Sequence, residues 1–173
     1  VTDESTDPTT LVVAARDGDA AAFAMLYRRF GRLVHAVLLS RLPPDDAADL
    51  TQDVFTQAWS RLHTLRKPSA FAGWVAAIAR RRAADHLRSR IPHDELDDGL
   101  PEAERQTGTL QAREVLAAIR SLPETYRETL LLRLVEGHSG PEIATLTGLT
   151  PGSVRVNLHR GFKLLRQRLG ACT

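Results

Sequence analysis

Residues 139–169, SGPEIATLTGLTPGSVRVNLHRGFKLLRQRL, admit few structures other than two helices joined by a tight glycine turn. Ser139 and Glu142 have the S-x-x-E spacing of a capping box, which satisfies backbone N–H groups that a helix start leaves orphaned. Pro141 sits where a first helical turn tolerates it. Gly148 stands where the chain must reverse, since glycine reaches positive φ without steric cost. Thr150 then caps a second helix whose first position is Pro151. Arg155, His159, Arg160, Lys163, Arg166 and Arg168 give that helix a positive face. An ordinary αα-hairpin has no need of so one-sided a charge. A helix-turn-helix does, because its second helix lies in the DNA major groove.

The rest of the chain also reads as helix. Apolar residues recur at helical spacing, with no convincing strand, and 43% hydrophobic content is enough to build cores. Phe23, Leu26, Tyr27, Phe30, Leu33, Val34, Val37 and Leu38 follow the cap-forming Asp17-Gly18-Asp19. Pro43-Pro44 ends that run, and Asp45-Asp46 opens a helix to Leu62 with Leu50, Val54, Ala58 and Leu62 as its stripe. Lys67-Pro68-Ser69 breaks the chain again, with Ser69 placed to cap a third helix reaching Arg90. These elements predict one all-α domain over residues 11–91, after a disordered polar tail at 1–10. Residues 92–109 hold prolines, glycines and carboxylates without periodicity and read as an acidic flexible linker. Residues 110–173 then form a second helical domain. It comprises a helix over Leu110–Arg120, one opened by Ser121, Pro123 and Glu124 and closed at Gly137, and the helix-turn-helix.

Charge is distributed to match. The chain carries a net +2 overall, but residues 11–90 hold 13 lysines and arginines against 7 acids. Residues 91–110 hold one arginine against six carboxylates, and residues 111–173 hold nine basic groups against five acids. Two basic blocks flanking an acidic strip suit separate modules that each touch nucleic acid. The single Cys172 excludes an internal disulfide, and no C-x-x-C pair is available for zinc. His35, His63, His86, His93, His138 and His159 share no metal-ligand spacing, and no glycine-rich phosphate loop occurs. The composition therefore argues against an enzyme and implies no cofactor. It has no apolar run of membrane-spanning length and no signal peptide, which predicts a cytoplasmic protein without membrane insertion.

The third helix, WVAAIARRRAADHLRSR over residues 74–90, spreads Arg80, Arg81 and Arg82 about 100° apart. Arg81, Asp85 and Arg88 share one side, while Phe71 and Trp74 lie at its start. Bases stack on aromatic rings while cations track phosphates, so this face suits single-stranded or opened DNA. Core packing of Trp74 against Ile78 is the alternative.

Three runs in order carry a specific resemblance: DAADLTQDVFTQAW (46–59), SAFAGWVAAIARRRAADHLRSR (69–90) and LPETYRETLLLRLVEGHSGPEIATLTGLTPGSVRVNLHRGFKLLRQRL (122–169). Together they resemble a bacterial RNA polymerase sigma factor of the short extracytoplasmic-function group, which keeps only regions two and four. The resemblance implies a non-catalytic subunit that gives the core polymerase promoter specificity and helps open the strands. Asp49, Leu50, Gln52, Asp53, Phe55 and Trp59 would then dock on the polymerase clamp. Leu65, Arg66, Lys67, Phe71, Trp74, Arg80, Arg81 and Arg88 would capture the downstream (minus-ten) element. Ser153, Arg155, Val156, Asn157, His159, Arg160 and Lys163 would read the upstream (minus-thirty-five) element. The implied partners are core RNA polymerase, promoter DNA and an anti-sigma factor. The acidic linker would thread the channel by which RNA leaves the polymerase, as a removable polyanion.

Three positions depart from the family pattern. Arg81 stands where W-L-x-x-I-A-x-N has Asn, and a cation cannot accept a hydrogen bond. Asn157 replaces a usual Arg and introduces a residue able to pair bidentately with adenine. Gly161 replaces Ala at a cost of up to about 1 kcal/mol in helix propensity. A conventional helix-turn-helix regulator that binds duplex DNA alone would explain residues 122–169, but neither of the first two runs.

Overall fold

Asp7 and Pro8 start the first helix. The Asp7 carboxylate accepts the Thr9 N–H at 3.3 Å and Pro8 fills the first turn, giving α1 (Pro8–Arg16). The structure is a computed structural model that describes residues 6–90 and 110–170. The acidic linker, and every expectation about it, lies outside the described residues. The tail expected over 1–10 is thus helical from Pro8. Only Leu11, Val12 and Ala15 of α1 are buried, a pattern too short for periodicity to reveal.

Asp19 accepts the N–H groups of Ala21 and Ala22 to open α2 (Ala20–Leu39). Pro44 begins α3 (Pro44–Arg61), with Asp45 and Asp46 in the first turn, where the helix dipole favours carboxylates. Two 3-10 turns, Leu62–Thr64 and Pro68–Ala70, lead into α4 (Phe71–Arg90). Ser69 therefore sits inside a turn rather than capping the helix. Helix α2 packs against α1, α3 and α4 around fully buried Leu26, Val34, Val37, Val54 and Phe71. Ala76, Ala79 and Ala83 are all fully buried on α4, and their small side chains let its backbone approach the other helices closely. Helix α1 also packs against both 3-10 turns, and Arg16 donates to the Leu65 carbonyl. The loop before α4 is thereby anchored to an element the periodicity did not show.

The second domain contains α5 (Leu110–Arg120), α6 (Glu124–Leu134), α7 (Gly140–Thr147) and α8 (Pro151–Gly170). Ser121 does not form the expected capping box; its hydroxyl donates to Ala118 O at 2.8 Å, and Pro123 caps α6 without a side-chain bond. Helix α6 stops at Leu134, and Gly137 at φ 72° turns the chain toward α7. Leu130, Leu131 and Leu132 are consecutive and all fully buried, so the middle turn of α6 is covered on more than one face. Helices α5, α7 and α8 cover it from its own domain and α2 covers it from the other.

At α7 the reciprocal box is complete. Ser139 N–H donates to Glu142 Oε2 at 2.7 Å and Glu142 N–H to Ser139 Oγ at 3.5 Å. Gly148 follows at φ 72°. Replacing Ser139 by Ala is expected to lower stability by about 0.5–2 kcal/mol, read from the urea midpoint. The Ser139 hydrogen bonds hold the Glu142 carboxyl below its ordinary pKa. Its contribution is therefore complete above the unfolded carboxylate value and disappears as pH falls through the lower folded one.

Candidate nucleic-acid interface

Helix α8 has two distinct faces. Val154, Asn157, Gly161 and Leu165 are buried against the domain, whereas Ser153, Arg155, Val156, His159, Arg160 and Lys163 are exposed. Thr150 fixes the start of the helix, its Oγ1 accepting the Ser153 N–H at 3.1 Å. Six of the seven residues expected to read duplex DNA thus share one solvent face. Asn157 does not. It is 9% exposed, and its amide donates to Thr125 O of α6 at 3.2 Å, so pairing with adenine is replaced by an interhelical anchor. One turn later, a Cβ on Gly161 would lie 3.1 Å from Leu130 Cγ and Cδ1 and 3.3 Å from Tyr126 Cβ. The two departures from the family pattern form one stripe, i and i+4, that seats α8 closely on α6.

On α4 and its preceding loop, Leu65 and Phe71 are core residues, 5% and 1% exposed, and hold the loop from beneath. Arg66 and Lys67 are its exposed members. Trp74 is half-buried, its ring centroid 5.9 Å from that of Phe71. The arginines divide by partner. Arg88 bonds Asp85, Arg82 Nη2 meets Asp53 Oδ2 at 3.1 Å, and Arg80 reaches into the second domain. Arg80 Nε and Nη2 both donate to Glu128 Oε1, at 2.9 and 2.7 Å, and Nη2 also to Leu146 O at 2.6 Å.

Other contacts join the domains beside Arg80. Arg41 pairs with Glu124, and its Nη2 lies 4.0 Å from Glu128 Oε2. Arg32 donates to Val135 O at 3.2 Å and pairs with Glu136 at 3.5 Å. A cavity of about 370 Å³ lies in this cleft, lined by Tyr27, His35, Leu39, Thr51, Leu131 and Val135. Burial lowers the His35 pKa and favours the neutral ring there.

On α3, Asp49, Gln52, Asp53 and Trp59 are exposed, while Leu50 and Phe55 are buried in the core. Phe55 instead supports an aromatic group: its ring lies 4.6 Å from Tyr27 and 6.2 Å from Phe23, which in turn meets Trp59 at 4.7 Å. Tyr27 and Trp59 keep 40% and 39% of their surface exposed.

This arrangement has close counterparts. The sigma-70 region 2 family matches residues 26–91 and the sigma-70 region 4 family residues 112–165. The RNA polymerase sigma factor CarQ of Myxococcus xanthus is 32% identical, the match covering 90% of this chain and 93% of that protein. The chain belongs to the extracytoplasmic-function sigma factors. One of these, SigF of Caulobacter vibrioides, is 28% identical over 98% of this chain and 97% of its own. Among solved structures, CnrH in complex with the cytosolic domain of CnrY is similar with TM-score 0.74 at 26% identity, covering 96% of this chain and 99% of that one.

As a sigma factor the protein is a non-catalytic subunit that directs RNA polymerase to promoters. No metal-binding cluster occurs among the described residues, and none of their helices is long and apolar enough to cross a membrane. Sequence reasoning counted Tyr27 within a core stripe and missed its exposure. It also missed Glu128 as the partner of Arg80, because residues 48 apart in a helical chain leave no local signal of contact.

Proposed function

We propose that the exposed side of α3, with Tyr27 beside it, docks on the polymerase clamp. The loop at 65–71 and α4 take the opened downstream element, and the outer face of α8 reads the upstream one. The observation that carries this reading is the division of α8, with one face anchored by Asn157 and Gly161 and the other free for DNA. Arg155, Val156 and His159 then reach base edges near the start of the helix, while Arg160 and Lys163 meet phosphates further along. The chain works in the cytoplasm, where polymerase and chromosome meet. CnrH is bound by a partner's cytosolic domain, and an anti-sigma factor of similar placement would hold this chain inactive.

Run-off transcription with purified core polymerase on a promoter library tests the whole reading. Promoter-specific transcripts support it; duplex binding without polymerase, and no transcripts, favours a conventional regulator. The clamp face has its own test. Asp53 already serves Arg82, so reversing it would disturb the α3–α4 packing. Asp49 is exposed and suits the purpose better. Asp49→Arg is expected to keep the thermal midpoint and weaken holoenzyme assembly at least about tenfold, since a like charge meets its partner surface. Wild-type affinity for core polymerase would remove Asp49 from the docking surface.

A further inference from the structure

Tyr27, Gly31, His35 and Leu39 recur every four residues along α2 and so form one row on its surface. That row walls the cavity of about 370 Å³ between the domains, to which the second domain adds Leu131 and Val135. Small-molecule sites begin near about 300 Å³ and favour domain interfaces. Gly31 makes part of the room. Glycine weakens a helix interior relative to alanine, and a Cβ built on Gly31 would meet nothing within 4 Å.

Two polar groups in this mostly apolar cavity are unspent. The Thr51 hydroxyl gives its proton to Ala47 O at 2.8 Å, so at its 3.4 Å contact with His35 Nδ1 the ring is the donor. Burial favours the neutral ring, whose Nε2 then keeps a lone pair with no partner among the described residues. At the mouth, Arg32 is engaged by Val135 O and Glu136. Arg28 is exposed and, like Arg81 on α4, makes no hydrogen bond or ion pair among the described residues. The Arg32–Glu136 pair cancels, which leaves the mouth one positive charge.

We infer that this cavity binds a small hydroxyaryl carboxylate, which clasps the two domains together. The ring lies among Leu39, Leu131 and the space left by Gly31, where apolar surface is removed from water. Its hydroxyl donates to His35 Nε2, an acceptor that an apolar ring alone would leave unpaired. Its carboxylate meets Arg28 at the mouth. A polyanion such as a nucleotide would find one free cation and a carboxylate beside it, and an amine would be repelled. Because α2 and α3 supply one part of the wall and the end of α6 the other, the site is complete only while the domains are closed. A ligand that binds one of two states shifts the equilibrium toward it. Occupancy therefore delays the separation of the domains that precedes their joint engagement. That consequence rests on the reading that each domain meets its own promoter element; the site itself does not.

The test titrates 3-(4-hydroxyphenyl)propionate into the full chain by calorimetry. Beside it stand 3-phenylpropionate, which lacks the hydroxyl, and tyramine, in which an ammonium replaces the acid. The hydroxyaryl acid is expected to bind one site with a dissociation constant of about 1 mM or tighter. Loss of the hydroxyl should weaken binding about fivefold, as for one hydrogen bond. His35→Leu should bring the two acids to the same affinity, and Arg28→Gln should narrow the gap between the acid and tyramine. Gly31→Leu fills the cavity with a better helix former, so it should abolish binding while the thermal midpoint is kept. At ten times its dissociation constant the hydroxyaryl acid should slow assembly of the complete wild-type holoenzyme by about tenfold and leave Gly31→Leu unaffected. No binding to the wild type, or undiminished binding to Gly31→Leu, overturns the inference. Equal affinity of the wild type for both acids overturns the ligand class, a result that needs no variant to fold. Binding without slower assembly overturns the clasp. Failure of the wild type to assemble with polymerase, with or without the acid, overturns the functional reading instead.

Discussion

The Gly161→Val protein is expected to lose most of its affinity for upstream-element DNA although every side chain on the outer face of α8 is unchanged. A Cβ at residue 161 would already stand 3.1 Å from Leu130 Cγ and Cδ1, closer than ordinary carbon contacts, and Leu130 is fully buried with little room to move. Valine adds two methyl groups to that crowding, and overpacking of this kind costs about 1–3 kcal/mol. Helix α8 would relieve the clash by lifting from α6, which also stretches the Asn157–Thr125 bond one turn away. The consequences are a lower thermal midpoint and a recognition helix held at the wrong height above the groove. Asn157→Ala should act in the same direction more mildly, at about 0.5–1.5 kcal/mol for one lost hydrogen bond. Both variants should weaken all upstream sequences alike. Arg155→Ala should instead relax discrimination at one base pair, by about 1–3 kcal/mol if it pairs there bidentately. Fluorescence anisotropy of the holoenzymes on wild-type and point-mutated duplexes separates the two patterns. A Gly161→Val protein with wild-type midpoint and affinity would show that the close seating of α8 has no role in reading DNA.

That contrast also shows where sequence reasoning reaches. The capping box at Ser139, the turn at Gly148 and the bounds of α5 depend on residues adjacent in the chain, and local pattern carries them fully. The start of α1 was available in Asp7-Pro8 but hidden by a polar tail and a stripe of only three buried residues. Ser121 has the spacing of a capping residue, yet its hydroxyl turns back to Ala118, a choice spacing cannot decide. At Asn157 residue chemistry pointed toward DNA, and the orientation of the helix pointed the amide inward. The basic face of α4 was legible as charge but not as function, because each arginine's role depends on a carboxylate or cavity contributed from elsewhere. Asp53 and Glu128 lie 29 and 48 residues from the arginines they engage.

The largest rearrangement expected of this protein follows from the ion pairs around Glu128. Elements named minus thirty-five and minus ten lie about 25 base pairs apart, or roughly 85 Å along straight duplex at 3.4 Å per step. A compact chain of this length has a radius of gyration of about 16 Å and cannot span that distance. The closed arrangement of α4 on α7 and α2 on α6 must therefore open before both elements are read together. Glu128 is the centre of what holds it shut, with only 13% of its side chain exposed and contacts to both Arg80 and Arg41. Glu128→Gln keeps the shape and removes the charge, weakening charge-assisted bonds worth about 1.5–3 kcal/mol. Small-angle scattering of the free variant should show a radius of gyration raised by at least about a quarter over the compact value. Stopped-flow mixing with core polymerase should show faster assembly of the complete holoenzyme, because the variant need not first separate its domains before both of them engage. Arg80→Gln should open the protein to the same extent and add little when combined with Glu128→Gln, as expected for two partners in one contact. Added salt should move the wild type toward the variant, though weakly, because a pair this buried is poorly screened. An unchanged radius and association rate in Glu128→Gln would place the hold between the domains elsewhere, in the apolar packing of α2 on Leu131.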